Sequence, residues 1–256
     1  MVGVDREGVA AGLPQFITVD PFAAGTTVVL DEQAARHMRV LRLESGAVVG
    51  LRDGLGCVGE GQVVRMAKAQ VHVEVTRVVD VPPLPAVHLL VPIADRDRML
   101  WLAEKATELG VTSWRPVMWR RSRSVSPRGE GVSFQAKVRA RMESALAQSE
   151  GAWLPQAFPE ANLERAVLAA PSGDRVVLDP AGAPLTDPAP GALTAGDASV
   201  VLAIGPEGGI EADELEQLRA AGFRAASIGP SILRFETAAI GALAIVRTLL
   251  ARGTPA

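Results

Sequence analysis

The chain has 256 residues, of which 48% are apolar, so it can form at least one full hydrophobic core. Its net charge of -3 excludes a strongly basic protein, and any surface that binds nucleic acid must come from locally clustered charge. A single cysteine excludes an intrachain disulfide framework and a cysteine-rich metal site, and it suits a reducing compartment.

Residues 1–12 contain no apolar stretch of the kind found in a signal peptide, and no segment of the chain reaches the roughly 18 apolar residues of a membrane span. We therefore expect a cytoplasmic protein with no membrane partner. The three histidines, His37, His72 and His88, are far apart in the sequence and lack the spacing of metal ligands, so we expect no metal.

The first part of the chain has the pattern of a small β-rich domain. Its β-branched, partly alternating segments are Thr26–Leu30, Ala47–Leu51 and Gln70–Thr76. Val81–Pro85 then holds three prolines in five residues, which disfavours both helix and sheet. We place a domain boundary there.

After the boundary, short apolar strands alternate with helical periodicity. The predicted strands are Val87–Ile93, Val176–Leu178, Val200–Ile204 and Ala225–Ile228. The predicted helices are Arg98–Leu109, Lys137–Gln148, Asp213–Ala221 and Ala238–Leu250. Apolar strands alternating with helices indicate an α/β fold with a parallel sheet covered on both faces. Most of Asp174–Ala198, rich in Pro, Gly, Asp and Ala, is predicted to be a loop.

The motif IGPEGG, residues 204–209, follows one of these strands directly. Loops at the carboxyl ends of parallel strands bind ligands, and glycines allow the backbone to approach them closely. The motif lacks the lysine and the glycine spacing of a phosphate-binding loop, and Glu207 would repel phosphate. A neutral or cationic small ligand fits better, although a plain turn from strand to helix is the alternative.

A second Gly-Pro loop, within Ser227–Ala238, also follows a short apolar strand and carries Arg234 and Glu236. If the two loops leave neighbouring strands, they form one pocket. The helix predicted after this loop has Arg247 as its one charged residue, so it is expected to lie in the core or against another subunit.

The pair IGPEGG and IGPSILRFETA resembles the RsmE family of SPOUT-class methyltransferases, which methylate N3 of a uridine in 16S ribosomal RNA of the small subunit. Further matching stretches are Arg36–Arg42, Arg52–Gly56 and Glu104–Val111. Together the matches extend from Arg36 to Ala239 and cover both predicted domains.

The resemblance implies a PUA-like β-barrel RNA-binding domain over residues 13–80 and a SPOUT methyltransferase domain with a C-terminal trefoil knot over residues 84–256. It also implies a homodimer that binds S-adenosyl-L-methionine in the knot. The residues expected to bind this cofactor are Leu178, Gly205, Pro206, Glu207, Gly208, Ile228, Gly229, Ile232, Leu233 and Arg234.

Methylation of uracil N3 requires loss of a proton, so a nearby group must accept it or stabilise the uridylate anion. Arg234 is the leading catalytic candidate, because its planar guanidinium can hydrogen-bond a uracil carbonyl oxygen. Glu236 or Glu207 would then accept the proton. The alternative is that Arg234 only forms an internal salt bridge with one of these carboxylates. Methyl transfer from a sulfonium needs no metal.

Two basic stretches are candidates for RNA contacts. Between residues 115 and 141 there are eight basic residues and one acid, and Arg120, Arg121 and Arg123 form its densest part. In the N-terminal domain, Arg36, Arg39 and Arg42 occur at helical spacing and form a second positive stripe. Trp114 and Trp119 are adjacent to the first stretch and either stack on bases or, as is more common, pack in the core.

Three positions depart from the family pattern: Gln15 and Gly151 stand where arginine is usual, and Ala147 where glutamate is usual. These losses affect expected RNA contacts and leave the cofactor loops intact. Two alternative functions therefore stay open: a SPOUT enzyme that acts on another RNA, and a non-catalytic RNA-binding module. An unrelated α/β nucleotide-binding enzyme is disfavoured by the missing phosphate-binding features.

Overall fold

The fold was obtained as a computed structural model that describes residues 12–18, 20–122, 129–187 and 199–253. The chain forms two compact units. The first contains the described residues up to Pro83 together with Leu146–Leu154, and the second contains Leu84–Ala145 and the chain from Pro155 onward. No helix among the described residues is both long and apolar enough to cross a membrane.

The first unit contains a curled five-stranded sheet and one helix. Its elements are β1 Gln15–Ile17, β2 Thr27–Leu30, α1 Glu32–Val40, β3 Val48–Arg52, β4 Cys57–Met66 and β5 Val71–Asp80. The strand order is β1-β3-β4-β5-β2, and all pairs are antiparallel except β1 with β3. The predicted β-rich N-terminal domain is confirmed.

The core of this unit follows from the alternation of residues along β5. Val71, Val73 and Val75 are at most 1% exposed, whereas Glu74 between them is exposed. Such a period of two gives a sheet one buried and one solvated face. Helix α1 covers the buried face with Met38, which is fully buried.

The second unit contains a seven-stranded sheet and five helices among its described residues. Its elements are β6 Ala86–Pro92, α2 Arg96–Glu108, β7 Ser113–Met118, α3 Val132–Gln148, β8 Gln156–Ala157, β9 Ala161–Asn162, α4 Leu163–Leu168, β10 Asp174–Pro184, β11 Ser199–Ala203, α5 Ala212–Ala220, β12 Arg224–Ser227 and α6 Phe235–Gly253. Helix α3 ends within the segment that groups with the first unit.

The sheet order is β12-β10-β11-β6-β7-β8, with β9 also paired to β7. Every strand pair in it is parallel, which confirms the predicted α/β architecture. Because the strands are parallel, their carboxyl ends and the loops that follow them lie along one edge.

Strand β10 occupies the first part of Asp174–Ala198, up to Pro184, although most of that segment was predicted to be a loop. Residues 188–198 of the segment lie outside the described residues. Its pairing with β12 is interrupted: Ala226 is opposite both Leu178 and Ala183, so the residues between them bulge out of the sheet. Gly182 lies in this bulge, and a Cβ there would be only 2.5 Å from the Ala226 nitrogen.

The order of the strands also corrects the expected position of the two Gly-Pro loops. They follow β11 and β12, which are not neighbours, because β10 lies between them. Two strand spacings of about 4.8 Å separate the loops, a distance that an extended small molecule can span. The bulge of β10 therefore lies between the two loops at the same edge.

Helix α6 packs one face into the core through Ala239, Leu243 and Val246, which are at most 2% exposed. Arg247 on this helix donates hydrogen bonds to the backbone oxygens of Pro85, Leu109 and Gly110. Burial lowers the pKa of its guanidinium to about 10. The charged group thus satisfies carbonyls at the start of β6 and the end of α2.

Candidate cofactor and catalytic site

A cavity of about 610 Å³ opens at the carboxyl edge of β10, β11 and β12, within the size range of small-molecule sites. The two Gly-Pro loops and the β10 bulge form its walls. The structure brings together around it all ten residues expected to bind a cofactor: Leu178, Gly205, Pro206, Glu207, Gly208, Ile228, Gly229, Ile232, Leu233 and Arg234.

Glycines determine the path of the IGPEGG loop. A Cβ on Gly205 would be 2.6 Å from the Ile210 side chain, and a Cβ on Gly208 would be 2.8 Å from the Arg121 carbonyl oxygen. Gly209 has a φ of +81°, which favours glycine. The loop therefore follows a tight path that side chains would block, and its backbone lines the cavity directly.

The second loop presents its apolar residues to solvent at the cavity. Ile232 is 91% exposed and Leu233 is 38% exposed, although both line the cavity. Arg234 follows them, and its carbonyl oxygen accepts the hydrogen bond of Ala238 N in the first turn of α6. Among the described residues Arg234 forms no ion pair, so the alternative of an internal salt bridge with Glu207 or Glu236 is wrong for this structure.

Another arginine, Arg98 of α2, forms ion pairs with both Glu207 and Glu236. Its Nε is 2.9 Å from Glu236 Oε1, and its Nη2 is 2.6 Å from both Glu236 Oε2 and Glu207 Oε1. The guanidinium also lies 4.8 Å from the centre of the Phe235 ring. The hydrogen bond with Glu236 is the main cause that raises the pKa of Arg98, so the group stays protonated.

The contacts of Arg98 distinguish the two candidate proton acceptors, Glu236 and Glu207. Glu236 is 9% exposed, has both oxygens bonded to Arg98, and does not line the cavity. Glu207 lines the cavity, and one of its oxygens faces Arg98. The sequence did not identify Arg98, because its partner Glu236 is 138 residues away and no local pattern links them.

Asp179 is a second residue that the sequence interpretation missed. It lies in the β10 bulge, lines the cavity and is partly buried. Its Oδ1 accepts a hydrogen bond from Ala181 N at 2.9 Å, which fixes the turn. Within the described chain it has no cationic partner, unlike Glu207, the other carboxylate on the cavity wall.

Arg120 and Arg121 are held by the first turn of α5. Arg120 pairs with Asp213, and Arg121 Nε is 2.6 Å from Glu211 Oε1. The buried Glu214 carboxylate adds a hydrogen bond from Arg120 N at 2.9 Å. These two arginines, which were predicted to contact RNA, therefore also hold the loop after β7 against the start of α5. Arg123 lies outside the described residues.

In the first unit, the predicted basic stripe lies on α1 and just beyond it. Arg36 is 3.8 Å from Glu32, and Arg39 Nη1 donates to the Lys68 carbonyl oxygen at 3.0 Å. Arg42 has a φ of +56° and occupies the position after the helix where glycine is usual. The bonds from Arg42 N to Arg39 O and from Leu43 N to Met38 O complete a Schellman motif there.

The two tryptophans beside the basic stretch are buried in the protein. Trp114 is 1% exposed and Trp119 is 4% exposed, so both belong to the core. Among the described residues, no group of three or more His, Cys, Asp and Glu side chains is arranged to hold a metal.

Two of the departures from the family pattern converge on one buried arginine. Gln15 Oε1 accepts from Arg52 Nε at 3.0 Å, and the Gly151 carbonyl oxygen accepts from Arg52 Nη1 at 2.8 Å. Arg52 is only 3% exposed. Gln15 and Gly151 thus accept hydrogen bonds from a buried cation, and neither adds a positive charge to the surface. Ala147, the third departure, is partly buried on α3.

Comparison with known proteins gives matches over both units. A family model described as an RNA methyltransferase domain matches residues 82–247, and one described as an RNA methyltransferase PUA domain matches residues 30–76. Ribosomal RNA small subunit methyltransferase E of Mycobacterium bovis is 30% identical over 93% of this chain and 92% of its own length.

Solved structures agree with these matches. Ribosomal RNA small subunit methyltransferase E from Neisseria gonorrhoeae, bound to S-adenosyl methionine, has a TM-score of 0.81 and 28% identity over 93% of this chain and 98% of that one. The putative methyltransferase Lpg2936 from Legionella pneumophila, in complex with the same cofactor, has a TM-score of 0.78 and 26% identity over 92% and 97%. The chain therefore belongs to the RNA methyltransferase family that includes ribosomal RNA small subunit methyltransferase E.

Proposed function

We propose that this protein transfers a methyl group from S-adenosyl-L-methionine to N3 of a specific uridine in 16S ribosomal RNA of the small subunit. The observation that carries the proposal is the cavity at the ends of β10, β11 and β12, whose walls contain every residue expected to bind the cofactor. The relatives bound to S-adenosylmethionine support the identity of the ligand.

The residues of the cavity suit this cofactor. Backbone from two glycine-bearing loops can contact adenine edges closely, and the exposed Ile232 and Leu233 side chains supply apolar surface. Asp179 offers a carboxylate to the positive groups of the ligand. S-adenosylmethionine supplies an electrophilic methyl group with its own leaving group, so the protein mainly supplies alignment and electrostatic stabilisation.

Arg234 is the residue we assign to stabilisation of the uridylate anion. It lines the cavity and has no ion-pair partner in the described chain, so its donors are available to a uracil carbonyl oxygen. For removal of the proton we favour Glu207 over Glu236. Glu207 lines the cavity, whereas both oxygens of Glu236 are occupied by Arg98.

We assign RNA binding to two groups of basic residues: Arg36, Arg39 and Arg42 of the first unit, and Arg120, Arg121 and Arg123 of the stretch that follows β7. The match of residues 30–76 to an RNA methyltransferase PUA domain supports the first group. Phosphate contacts of this kind provide affinity and not sequence preference.

The proposal includes a homodimer, a trefoil knot around the cofactor loops and a cytoplasmic location. Part of α6 away from the core, including Thr237 and Thr248, is exposed, and small residues such as Gly241 and Ala244 lie beside it. This face is suited to close packing of a second copy. Sedimentation of the purified protein measures the expected dimer.

The test uses purified protein, S-adenosylmethionine and small ribosomal subunits from a strain that lacks the corresponding gene. Mass spectrometry of digested 16S rRNA should show one added methyl group on a uridine, in a fragmentation pattern that places it on the base. Reactions with S-adenosylhomocysteine in place of the donor are the control. No mass gain on any uridine, with bound cofactor demonstrated by calorimetry, would contradict the proposal and leave a methyltransferase for another RNA or a non-catalytic RNA-binding protein.

A further inference from the structure

We propose that Arg98 is a positioning residue that holds the IGPEGG loop and the first turn of α6 together beside the cofactor cavity and thereby keeps Arg234 available for the reaction. The inference rests on the proposed function for the identity of the ligand. Neither IGPEGG nor IGPSILRFETA contains Arg98, and the cavity wall does not include it, so it acts through other residues.

The position of Arg98 on its own helix is fixed. Asp95 caps α2 by accepting hydrogen bonds from Asp97 N at 3.1 Å and Arg98 N at 3.0 Å. The next residue, Met99, is fully buried and anchors the first turn in the core. The guanidinium therefore extends from a rigid base at the carboxyl end of β6, the strand next to β11.

From this base Arg98 joins two segments that are separate in sequence. Its Nη2 is 2.6 Å from Glu207 of the IGPEGG loop and 2.6 Å from Glu236 in the first turn of α6. One nitrogen thus bridges the loop after β11 and the helix after the second loop. Phe235, which lines the cavity, lies under the same guanidinium at 4.8 Å.

The charges explain why this bridge needs a cation. Glu207 and Glu236 approach the same nitrogen atom, so without Arg98 they would be two like charges in close proximity. Glu236 is 9% exposed and would lose its counter-ion in a place with little water. Removal of Arg98 should therefore separate the two segments and widen the cavity.

Loss of Arg98 also affects Arg234. Arg234 is two residues from Glu236 in the sequence and has no ion-pair partner in the described chain. In the absence of Arg98 it becomes the nearest alternative cation along the chain for the released carboxylate. An arginine paired in this way would be withdrawn from the substrate. Turnover should then fall further than cofactor affinity, a pattern that a general loss of stability does not produce.

The test compares three variants: Arg98→Met, Arg98→Lys, and a double variant that carries both Arg98→Met and Glu236→Gln. Arg219→Met is the matched control, because Arg219 is an exposed arginine of α5 that pairs only loosely with Glu216 at 3.8 Å. Calorimetry gives the Kd for S-adenosylmethionine, single-turnover assays on small subunits give the rate, and circular dichroism confirms that each variant is folded.

We expect Arg98→Met to weaken cofactor binding about tenfold and to lower the single-turnover rate by a larger factor. Arg98→Lys should lie between wild type and Arg98→Met, since lysine keeps the charge and loses the two-pronged geometry. The double variant should recover part of the lost affinity, because the uncompensated carboxylate is gone.

Two results would overturn the inference. If folded Arg98→Met and Arg98→Lys match Arg219→Met in both Kd and rate, Arg98 does not position the site. If the double variant is weaker than Arg98→Met, the loss does not come from the released charge of Glu236. Failure of the proposed function gives a different result, in which wild-type protein itself binds no S-adenosylmethionine.

Discussion

The backbone of Arg121 lies directly against Gly208, at a distance that leaves no room for a side chain. A Cβ on Gly208 would be 2.8 Å from the Arg121 carbonyl oxygen and 2.9 Å from the Arg121 Cβ. Arg121 is in turn fixed by its ion pair with Glu211, so it cannot withdraw without breaking that pair. The loop after β7 thus supports the IGPEGG loop from outside the cavity.

Gly208→Ala should therefore displace the IGPEGG loop. We expect at least tenfold weaker binding of S-adenosylmethionine, corresponding to about 1.4 kcal/mol, measured by calorimetry. Gly131→Ala is the control: its φ of +82° makes alanine strained, but nothing lies within 4 Å of the added Cβ. This control should lose stability and keep its cofactor affinity. Equal cofactor affinities for the two variants would contradict the role given to the contact.

Arg234→Ala should lower turnover much more than cofactor binding. Its guanidinium has no ion-pair partner within the described residues, so its removal leaves no carboxylate uncompensated there, and the pocket should persist. Loss of one donor to a developing anion costs about 100-fold or more in rate. Single-turnover kinetics and calorimetry on the same preparation separate the two effects. Lost cofactor affinity with a normal rate at saturation would reverse the assignment.

Asp179→Asn should weaken cofactor binding, because Asp179 is the cavity carboxylate left without a cation among the described residues. The asparagine oxygen can still accept the hydrogen bond from Ala181 N, so the turn should be retained. We expect about a tenfold increase in Kd for S-adenosylmethionine. Asp187→Asn, an exposed neighbour beyond the cavity, is the control. Indistinguishable Kd values would remove Asp179 from the binding site.

The apolar runs predicted the positions of the two central strands to within one residue at each end. Val87–Ile93 and Val200–Ile204 correspond to β6 and β11, since strands buried on both faces must be apolar along their length. Strand β7 was missed because Arg115 and Pro116 interrupt its apolar pattern. Its burial comes from packing between β6 and β8, which the local sequence does not encode.

In the candidate site, too, some residues could be predicted from the sequence and others could not. The Gly-Pro loops could be recognised because their chemistry is contained in short motifs. Arg98 and Asp179 could not be recognised from the sequence. The partner of Arg98, Glu236, is 138 residues away, and Asp179 reaches the cavity only because β10 bulges there. The basic residues Arg120 and Arg121 were identified by charge alone, and charge gives no sign of the acids at the start of α5 that hold them.

Arg42 has a strained backbone conformation, and the RNA-binding role that we propose for it would explain why arginine stands there in place of glycine. Replacing it by glycine should stabilise the first unit by roughly 1 kcal/mol, because a left-handed conformation costs a non-glycine residue about that much. The same change should weaken RNA binding and reduce the slope of log affinity against log salt by about 1. Urea unfolding and salt-dependent binding to 16S rRNA fragments measure the two effects.

Arg219→Gly removes the same charge from the other unit, from a position we do not assign to RNA, and should leave the salt slope unchanged. Arg42→Gly with unaltered RNA affinity would show that the strained arginine has no role in binding. A loss of stability in Arg42→Gly would instead show that the side chain compensates for its backbone conformation through local contacts.

His88 should make the protein less stable in mild acid. Its Nδ1 is 2.7 Å from Ser113 Oγ, and burial, assisted by the positive charge of Arg247, lowers the pKa of the ring below its usual value. The unfolded chain therefore binds a proton more readily than the folded one. Stability should be constant above the usual histidine pKa of about 6.5 and fall as the pH drops below it, until the lowered pKa of the folded state is passed.

Urea unfolding at pH 8, 6.5 and 5 measures this dependence as the free energy of unfolding. His88→Gln should reduce the loss of stability between pH 6.5 and 5, because glutamine can keep a hydrogen bond with Ser113 and does not titrate. His72→Gln, in the first unit, controls for removal of a histidine elsewhere and should retain the loss. If His88→Gln and wild type lose stability equally over this interval, the acid sensitivity comes from groups other than His88.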